Sequence, residues 1–266
     1  MIRLFWCGYG HPHRVNFGDS LSPLIVEMMS GKPVTYARPS LCDMAAIGSV
    51  LGKLQRKKIK RLLHGRFHPL HIWGTGALQG DGLGPRRLHI HALRGELTRE
   101  ALQQPASLPL GDPGLLVDRF STRAAKQFRW GITPHVCDQQ EPSITALHHA
   151  TPGSIVIDLS NPDIHATIRA MQSCDFIAST SLHGLVTADA FGIPSLWMRV
   201  SQRVLSGDWK FLDYFSAVGR RETAPHHFPA AEMNLQHWEK QTCLADPLRV
   251  DACRVGLEKA FAAINL

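Results

Sequence analysis

Apolar residues come in short runs along this chain, and the runs alternate with stretches whose apolar positions recur at helical spacing. In the first half, runs at 3–7, 45–47, 72–73, 88–93 and 108–110 predict strands, each followed by a glycine-rich or polar turn. In the second half, runs at 128–133, 155–159, 176–178 and 195–198 do the same. Helical spacing predicts helices over 20–30, 96–103, 143–149, 161–173 and 246–261. Asp19 or Ser20 suits the cap of the first helix and Gly31 its end; Asn161-Pro162-Asp163 and Asp246-Pro247 are helix starts that pair a cap with a proline. Strands that alternate with helices in this way imply parallel sheets. Residues 201–245 are irregular and aromatic-rich, and their order is not predicted. No internal sequence repeat or low-complexity segment is visible.

The clearest unit runs from Ser173 to Met198. Phe176 to Ala178 suits a buried strand, and Ser179, Thr180 and Ser181 can each cap a helix. Leu182, Leu185, Val186 and Phe191 follow helical spacing, Gly192 fits the helix end, and Pro194 prevents continuation. Residues 195–198 form the next strand, completing a β-α-β unit. His183 therefore sits in the first turn of a helix at the carboxyl end of a strand, where open α/β sheets bind ligands. Free N–H groups and the helix dipole favour an anion at that point. A histidine among them can donate a proton to what the anion is attached to; a capped structural residue is the plainer reading.

Length fits two domains, 1–122 and 123–266, each doubly wound and Rossmann-like, facing each other across a cleft. His135 and His183 would then face Asp19, Arg94 and Asp112. The glycine-rich turns spell neither a dinucleotide fingerprint nor a P-loop. The opening residues do not resemble a signal peptide, and no apolar run approaches the roughly 20 residues that cross a bilayer. Six scattered cysteines without a Cys-x-x-Cys pair predict reduced thiols in a cytoplasmic protein, with no zinc site.

The formal net charge is +7. Much of the excess lies in Lys53, Arg56, Lys57, Lys58, Lys60, Arg61 and Arg66, a stretch without an acid. Interleaved leucines and Ile59 would make residues 53–66 a basic amphipathic helix able to rest on anionic lipid, or else a solvated face. Nucleic-acid motifs are absent.

Several segments in order carry a resemblance: Asn16-Phe-Gly-Asp19, Ala46-Ile-Gly-Ser-Val-Leu51, Trp73-Gly-Thr-Gly76, Leu93-Arg-Gly95 with Thr98, Gly111-Asp-Pro-Gly-Leu-Leu116, Pro134-His135, and Ser179-Thr-Ser-Leu-His-Gly184 through Gly192-Ile-Pro194. Together they resemble the polysaccharide pyruvyl transferase family, most closely its short, xanthan-type ketal pyruvate transferases. The resemblance covers most of residues 14–198; the C-terminal third matches poorly. It implies a glycosyltransferase-B-like arrangement of two domains, with phosphoenolpyruvate as donor and a pyruvate ketal formed on two hydroxyls of one sugar. The acceptor implied is a lipid-linked repeat unit at the inner membrane face, with peripheral membrane contact and neither a metal nor another cofactor. The family's Leu-His pair maps to Leu182-His183 and its Arg-Gly turn to Arg94-Gly95. His183 and Arg94 are thus expected to be catalytic, with Arg94, Ser181, Leu182, His183, Gly184 and His135 around the donor and Asn16, Asp19 and Asp112 around the acceptor. Some members carry an arginine where this chain has Ser181, which leaves the anion to Arg94, Ser181 and helix N–H groups, or to Arg199 or Arg203. The competing readings are a nucleotide-sugar glycosyltransferase in the same shell and a non-catalytic glycan-binding protein of envelope assembly.

Overall fold

The computed structural model describes the chain except residues 9–14, 56–57, 66, 80–87, 205–206, 230–231 and 266, together with the side chains of 58–60. Among the described residues, ten strands form two five-stranded sheets. The first holds β1 (Ile2–Phe5), β2 (Val34–Tyr36), β3 (Met44–Ala45), β4 (Leu70–Trp73) and β5 (Leu88–Ala92) in the order β2-β1-β3-β4-β5. The second holds β6 (Phe128–Thr133), β7 (Ser154–Val156), β8 (Cys174–Ser179), β9 (Ser195–Arg199) and β10 (His226–His227) in the order β10-β9-β8-β6-β7. Every pairing between these strands is parallel. Counted from its own first strand, the second sheet repeats the order of the first, 2-1-3-4-5. The chain thus builds one doubly wound α/β topology twice without repeating its sequence.

The sheets share a core. Leu4, Phe17 and Ile25 of the first half lie in one buried cluster with Ile157, Ile168 and Leu185 of the second. The helix Phe17–Ser30 begins three residues earlier than its spacing predicts. Its start is set by the second half, where the Leu159 carbonyl accepts from the Phe17 amide at 3.0 Å. The helix predicted from 161 begins at Ile164, because Asp163 is the residue whose carboxylate accepts from the Ala166 amide, at 2.8 Å. Residues 108–110 form no strand. Leu110 makes a single bridge with Leu93, and Pro109 beside it has no N–H for a ladder.

The unpredicted segment 201–245 contains the helix Trp209–Val218, β10 and a 3-10 turn over Leu235–Gln241. The helix crosses back to the first half, as does the C-terminal helix Pro247–Ala262. Trp73 packs edge-on against Phe261, and its indole N–H donates to the Leu257 carbonyl at 2.9 Å.

The basic stretch is described only in part. It contains the short helices Leu51–Gln55 and Lys58–Leu63, and Arg56, Lys57 and Arg66 lie outside the described residues. Arg61 turns inward and donates to the carbonyls of Cys42 (2.6 Å) and Pro39 (3.3 Å). None of the six cysteines is in a disulfide. Among the described residues no helix is long and apolar enough to cross a membrane.

Candidate functional site

A doubly wound sheet opens a crevice where its strand order reverses, outside the carboxyl ends of the two central strands. In the first sheet this lies between β1 and β3, followed by Cys7 and by Gly48-Ser49. In the second it lies between β6 and β8, followed by Pro134-His135 and by Ser179-Thr-Ser181. Both crevices open into one hollow of ≈ 300 Å³. Asn16, Asp19, Gly48 and Ser49 line it from the first half; His135, Ser181, Leu182 and His183 line it from the second.

His183 stands in the first turn of the helix Leu182–Ala190. Its Nε2 faces the Asp112 carboxylate oxygen Oδ2 at 3.4 Å. Both atoms are closed to solvent, and neither has a hydrogen-bond partner. What exposure the ring keeps is therefore on its remaining atoms. The other edge of the ring, with Nδ1, lies against Gly18; a Cβ there would sit 1.9 Å from Nδ1, so only glycine admits the imidazole. Asp112, expected beside the acceptor, is fully buried and is not among the residues that line the hollow. Its Oδ1 accepts from the Gly114 amide at 2.8 Å and caps the 3-10 turn Pro113–Arg119, leaving Oδ2 for His183. Gly184 also stands off the hollow. A Cβ on it would meet Ser179 Oγ at 2.2 Å and Thr133 Oγ1 at 2.6 Å, so its lack of a side chain seats the helix on the strand ends.

Arg94, expected around the donor, is fully buried and is not among the residues that line the hollow. Its Nε donates to Asp213 Oδ2 (2.9 Å), one terminal nitrogen to Ser49 Oγ (2.6 Å) and the other to the Ala77 carbonyl (2.7 Å). Asp213 also accepts from the Thr98 amide and hydroxyl, both at 2.7 Å. The guanidinium thus clamps the helix Trp209–Val218 to the first half and reaches the hollow only through Ser49. The glycines beside it have matching reasons. A Cβ on Gly76 would be 2.4 Å from the Arg94 guanidinium carbon, and one on Gly95 would be 1.6 Å from the Asp213 carbonyl oxygen.

That clamp delivers a residue the sequence did not mark. Lys210, one turn before Asp213, lines the hollow with Lys53 and Arg203. Burial, with the Arg94 charge adding to it, brings the Lys210 ammonium down to about 8. Arg203 holds Glu141 at 2.7 Å. Arg199, the other candidate to replace the arginine at position 181, pairs with Asp208 and does not line the hollow. Burial, and after it the Lys210 charge, lowers His135 to about 4, so this ring is neutral at pH 7. The backbone at His135 is held by Thr180 Oγ1 at 2.8 Å; Thr180 donates in turn to Asp138 (2.7 Å), which also accepts from Ser201 (2.6 Å). The buried Asp138 carboxylate thereby ties three loops of the second sheet together.

Asp19 is the acid facing these cations. Burial raises its carboxyl above the usual range, while His183, Lys53 and Lys210 pull it back. Asn16 Nδ2 donates to its Oδ2 at 3.0 Å. The hollow thus joins a cationic wall, a buried carboxylate–imidazole pair and a second, less acidic carboxylate. Such a set can hold a small dianion, donate a proton from an imidazolium and accept one at a carboxylate.

The family model for polysaccharide pyruvyl transferase matches residues 69–202, just over half of the chain. Uncharacterized protein L143 of Acanthamoeba polyphaga mimivirus is 31% identical over 156 residues, 56% of this chain and 54% of its own. Succinoglycan biosynthesis protein ExoV of Rhizobium meliloti (strain 1021) is 26% identical over 219 residues, 79% of this chain and 64% of its own. The chain therefore spans just over half of the first relative's length and less than two thirds of the second's. A crystal structure of an uncharacterized protein from Klebsiella pneumoniae is similar at a TM-score of 0.48 and 12% identity, over 86% of this chain and 93% of that one.

Proposed function

The chain belongs to the polysaccharide pyruvyl transferase family, and on that premise we propose that it transfers the enolpyruvyl group of phosphoenolpyruvate to a glycan sugar, forming a pyruvate ketal in the hollow between the two sheets. The observation that carries this reading is His183. It stands at a helix start where both crevices open, with Asp112 behind it and the amines of Lys53 and Lys210 lining the same space.

Phosphoenolpyruvate brings a carboxylate and a phosphate, and Lys210, Lys53 and Arg203 supply the opposite charge with the helix N–H groups. Protonated His183 gives the proton of Nδ1, the nitrogen turned away from Asp112, to the methylene carbon C3, and C2 becomes an oxocarbenium-like electrophile. One sugar hydroxyl adds to C2 and releases its proton to Asp19. Phosphate then leaves C2 with the bonding pair, and the second hydroxyl closes the ketal. One hydroxyl proton finally replaces the one His183 gave, and the other leaves with phosphate. Asp112 stabilises the imidazolium that starts the sequence, as the buried acid of a catalytic triad does. Arg94 acts as a positioning residue through Ser49. Neutral His135 serves as a hydrogen-bonding group towards the substrates.

We assign the acceptor to the lipid-linked glycans of the inner membrane face. The exposed Leu63 and Phe67 beside the basic stretch support a peripheral contact there. Flotation with anionic vesicles tests it: neutralising Lys57, Lys58 and Lys60 should reduce flotation, and equal flotation would refute it.

The deciding experiment incubates the protein with phosphoenolpyruvate and candidate glycolipids and measures phosphate release with a pyruvyl mass gain on the glycan. His183→Ala should lose on the order of 10²–10⁴ in turnover. Near-normal ketal formation by that variant would sink the reading. Stabilisation by uridine or guanosine diphosphates, with none by phosphoenolpyruvate, would point to a nucleotide-sugar transferase instead.

A further inference from the structure

Away from the hollow, three histidines gather on one face of the first sheet. His71 lies on β4, and His89 and His91 lie on β5, the edge strand beside it. The register pairs His71 directly with His89, and the two-residue repeat of a strand puts His91 on the same side. Leu70, Ile72, Leu88 and Ile90 alternate with them and pack into a core cluster on the opposite face. The ring centroids are 5.3 Å apart for His71–His89, 5.2 Å for His71–His91 and 4.3 Å for His89–His91. One nitrogen from each ring falls within 4.8 Å of the other two, and His71 Nδ1 and His91 Nε2 approach to 2.9 Å. None of the three lines the hollow.

We propose that this trio binds one divalent transition-metal ion of the zinc class through its three imidazoles. A tetrahedral ion with bonds of 2.0–2.1 Å places its ligand nitrogens about 3.3 Å apart. The 2.9 Å approach of His71 to His91, with all three ligand nitrogens inside 4.8 Å of one another, keeps that value within reach of ring rotation. Three imidazoles without a thiolate or a carboxylate suit zinc, nickel or copper and are poor ligands for calcium or magnesium. Asp43, whose charge is felt by His71, is held by Arg3 through two hydrogen bonds of 2.9 and 3.2 Å. Water fills the fourth position. The ion staples an edge strand, which has one neighbour in its sheet, to β4. Because β5 leads directly to Arg94, it also steadies the strand behind the catalytic hollow. A bare hydrogen bond between His71 and His91 would account for two rings and leave His89 without a purpose on that face.

Full-length protein stripped with EDTA is titrated with zinc chloride by calorimetry and with cobalt(II) by visible absorption. The expected result is one saturable equivalent, a rise in melting temperature with zinc, and binding weakened at least about tenfold in His71→Ala, His89→Ala and His91→Ala. His89 is exposed, so His89→Gln keeps the fold and decides the question should a variant at 71 or 91 unfold. Absence of saturable binding by the wild-type chain, or binding equal to wild type in the folded variants, overturns the proposal. Neither result bears on pyruvyl transfer, which uses a different set of residues.

Discussion

Replacing Asp112 by asparagine isolates what the carboxylate behind His183 contributes. Asparagine keeps an oxygen at the Oδ1 position, so the bond to the Gly114 amide and the cap of the 3-10 turn survive. What is lost is the negative charge 3.4 Å from His183 Nε2. Two unit charges at that separation attract by about 5 kcal/mol at an effective dielectric constant of about 20. Only the part that favours imidazolium over imidazole matters for catalysis, and reorientation of neighbouring dipoles takes up much of the rest. A surviving quarter to half, about 1–2.5 kcal/mol, corresponds to a loss of about 10- to 100-fold in turnover. The assay is phosphate release with pyruvyl mass gain, run across phosphoenolpyruvate concentrations. The loss should fall on kcat, with KM for phosphoenolpyruvate little changed, because Asp112 does not touch the hollow. Asp112→Ala should lose the same activity and a further stability of about 1 kcal/mol from the missing cap. A kcat within twofold of wild type for Asp112→Asn would refute the role assigned to the pair.

Lys210→Met should weaken phosphoenolpyruvate binding at least tenfold while raising stability at pH 7, a combination readable by calorimetry and thermal melting. The sign follows from its amine being held at about 8 in the fold against the ordinary 10.5. Folding opposes the charged form, so the cost, at most about 3–4 kcal/mol, is fully present below pH 8 and fades between 8 and 10.5. The stability gain of the variant should shrink over that window, and a gain unchanged from pH 7 to pH 10.5 would contradict it. Arg94→Lys should lower unfolding stability in urea by about 2–4 kcal/mol, since an amine cannot serve Asp213, Ser49 and Ala77 together and leaves a buried carboxylate poorly matched. A stable Arg94→Lys variant with a raised KM for phosphoenolpyruvate would place the guanidinium on the substrate instead.

Local pattern settled a good deal of this protein. The strand–helix alternation sufficed for parallel α/β layers. The run from Ser173 to Met198 placed His183 at a strand end and in the first turn of a helix, because caps, periodicity and the Gly192/Pro194 stop all act within a few residues. Asp246-Pro247 marked the last helix for the same reason, and Asp246 accepts there from the Leu248 amide at 2.9 Å. Pairings between distant residues were beyond such reading. Nothing near Arg94 in the chain announces Asp213, 119 positions away, so the burial of its guanidinium in a clamp is not written in the turn that carries it. Asp112 showed only its turn, and its second oxygen found His183 through the packing of two halves. Lys210 sits among aromatic residues without a motif and becomes part of the site because Gly95 lets its helix approach. The histidine trio is split between two strands that only sheet register brings together. Sequence by itself determined the strand–helix alternation and the place of His183 in the first turn of a helix, since those depend on neighbours along the chain. Tertiary structure alone decided which charges face the hollow and which are consumed in holding it open, because a buried charge is defined by whatever the fold sets against it.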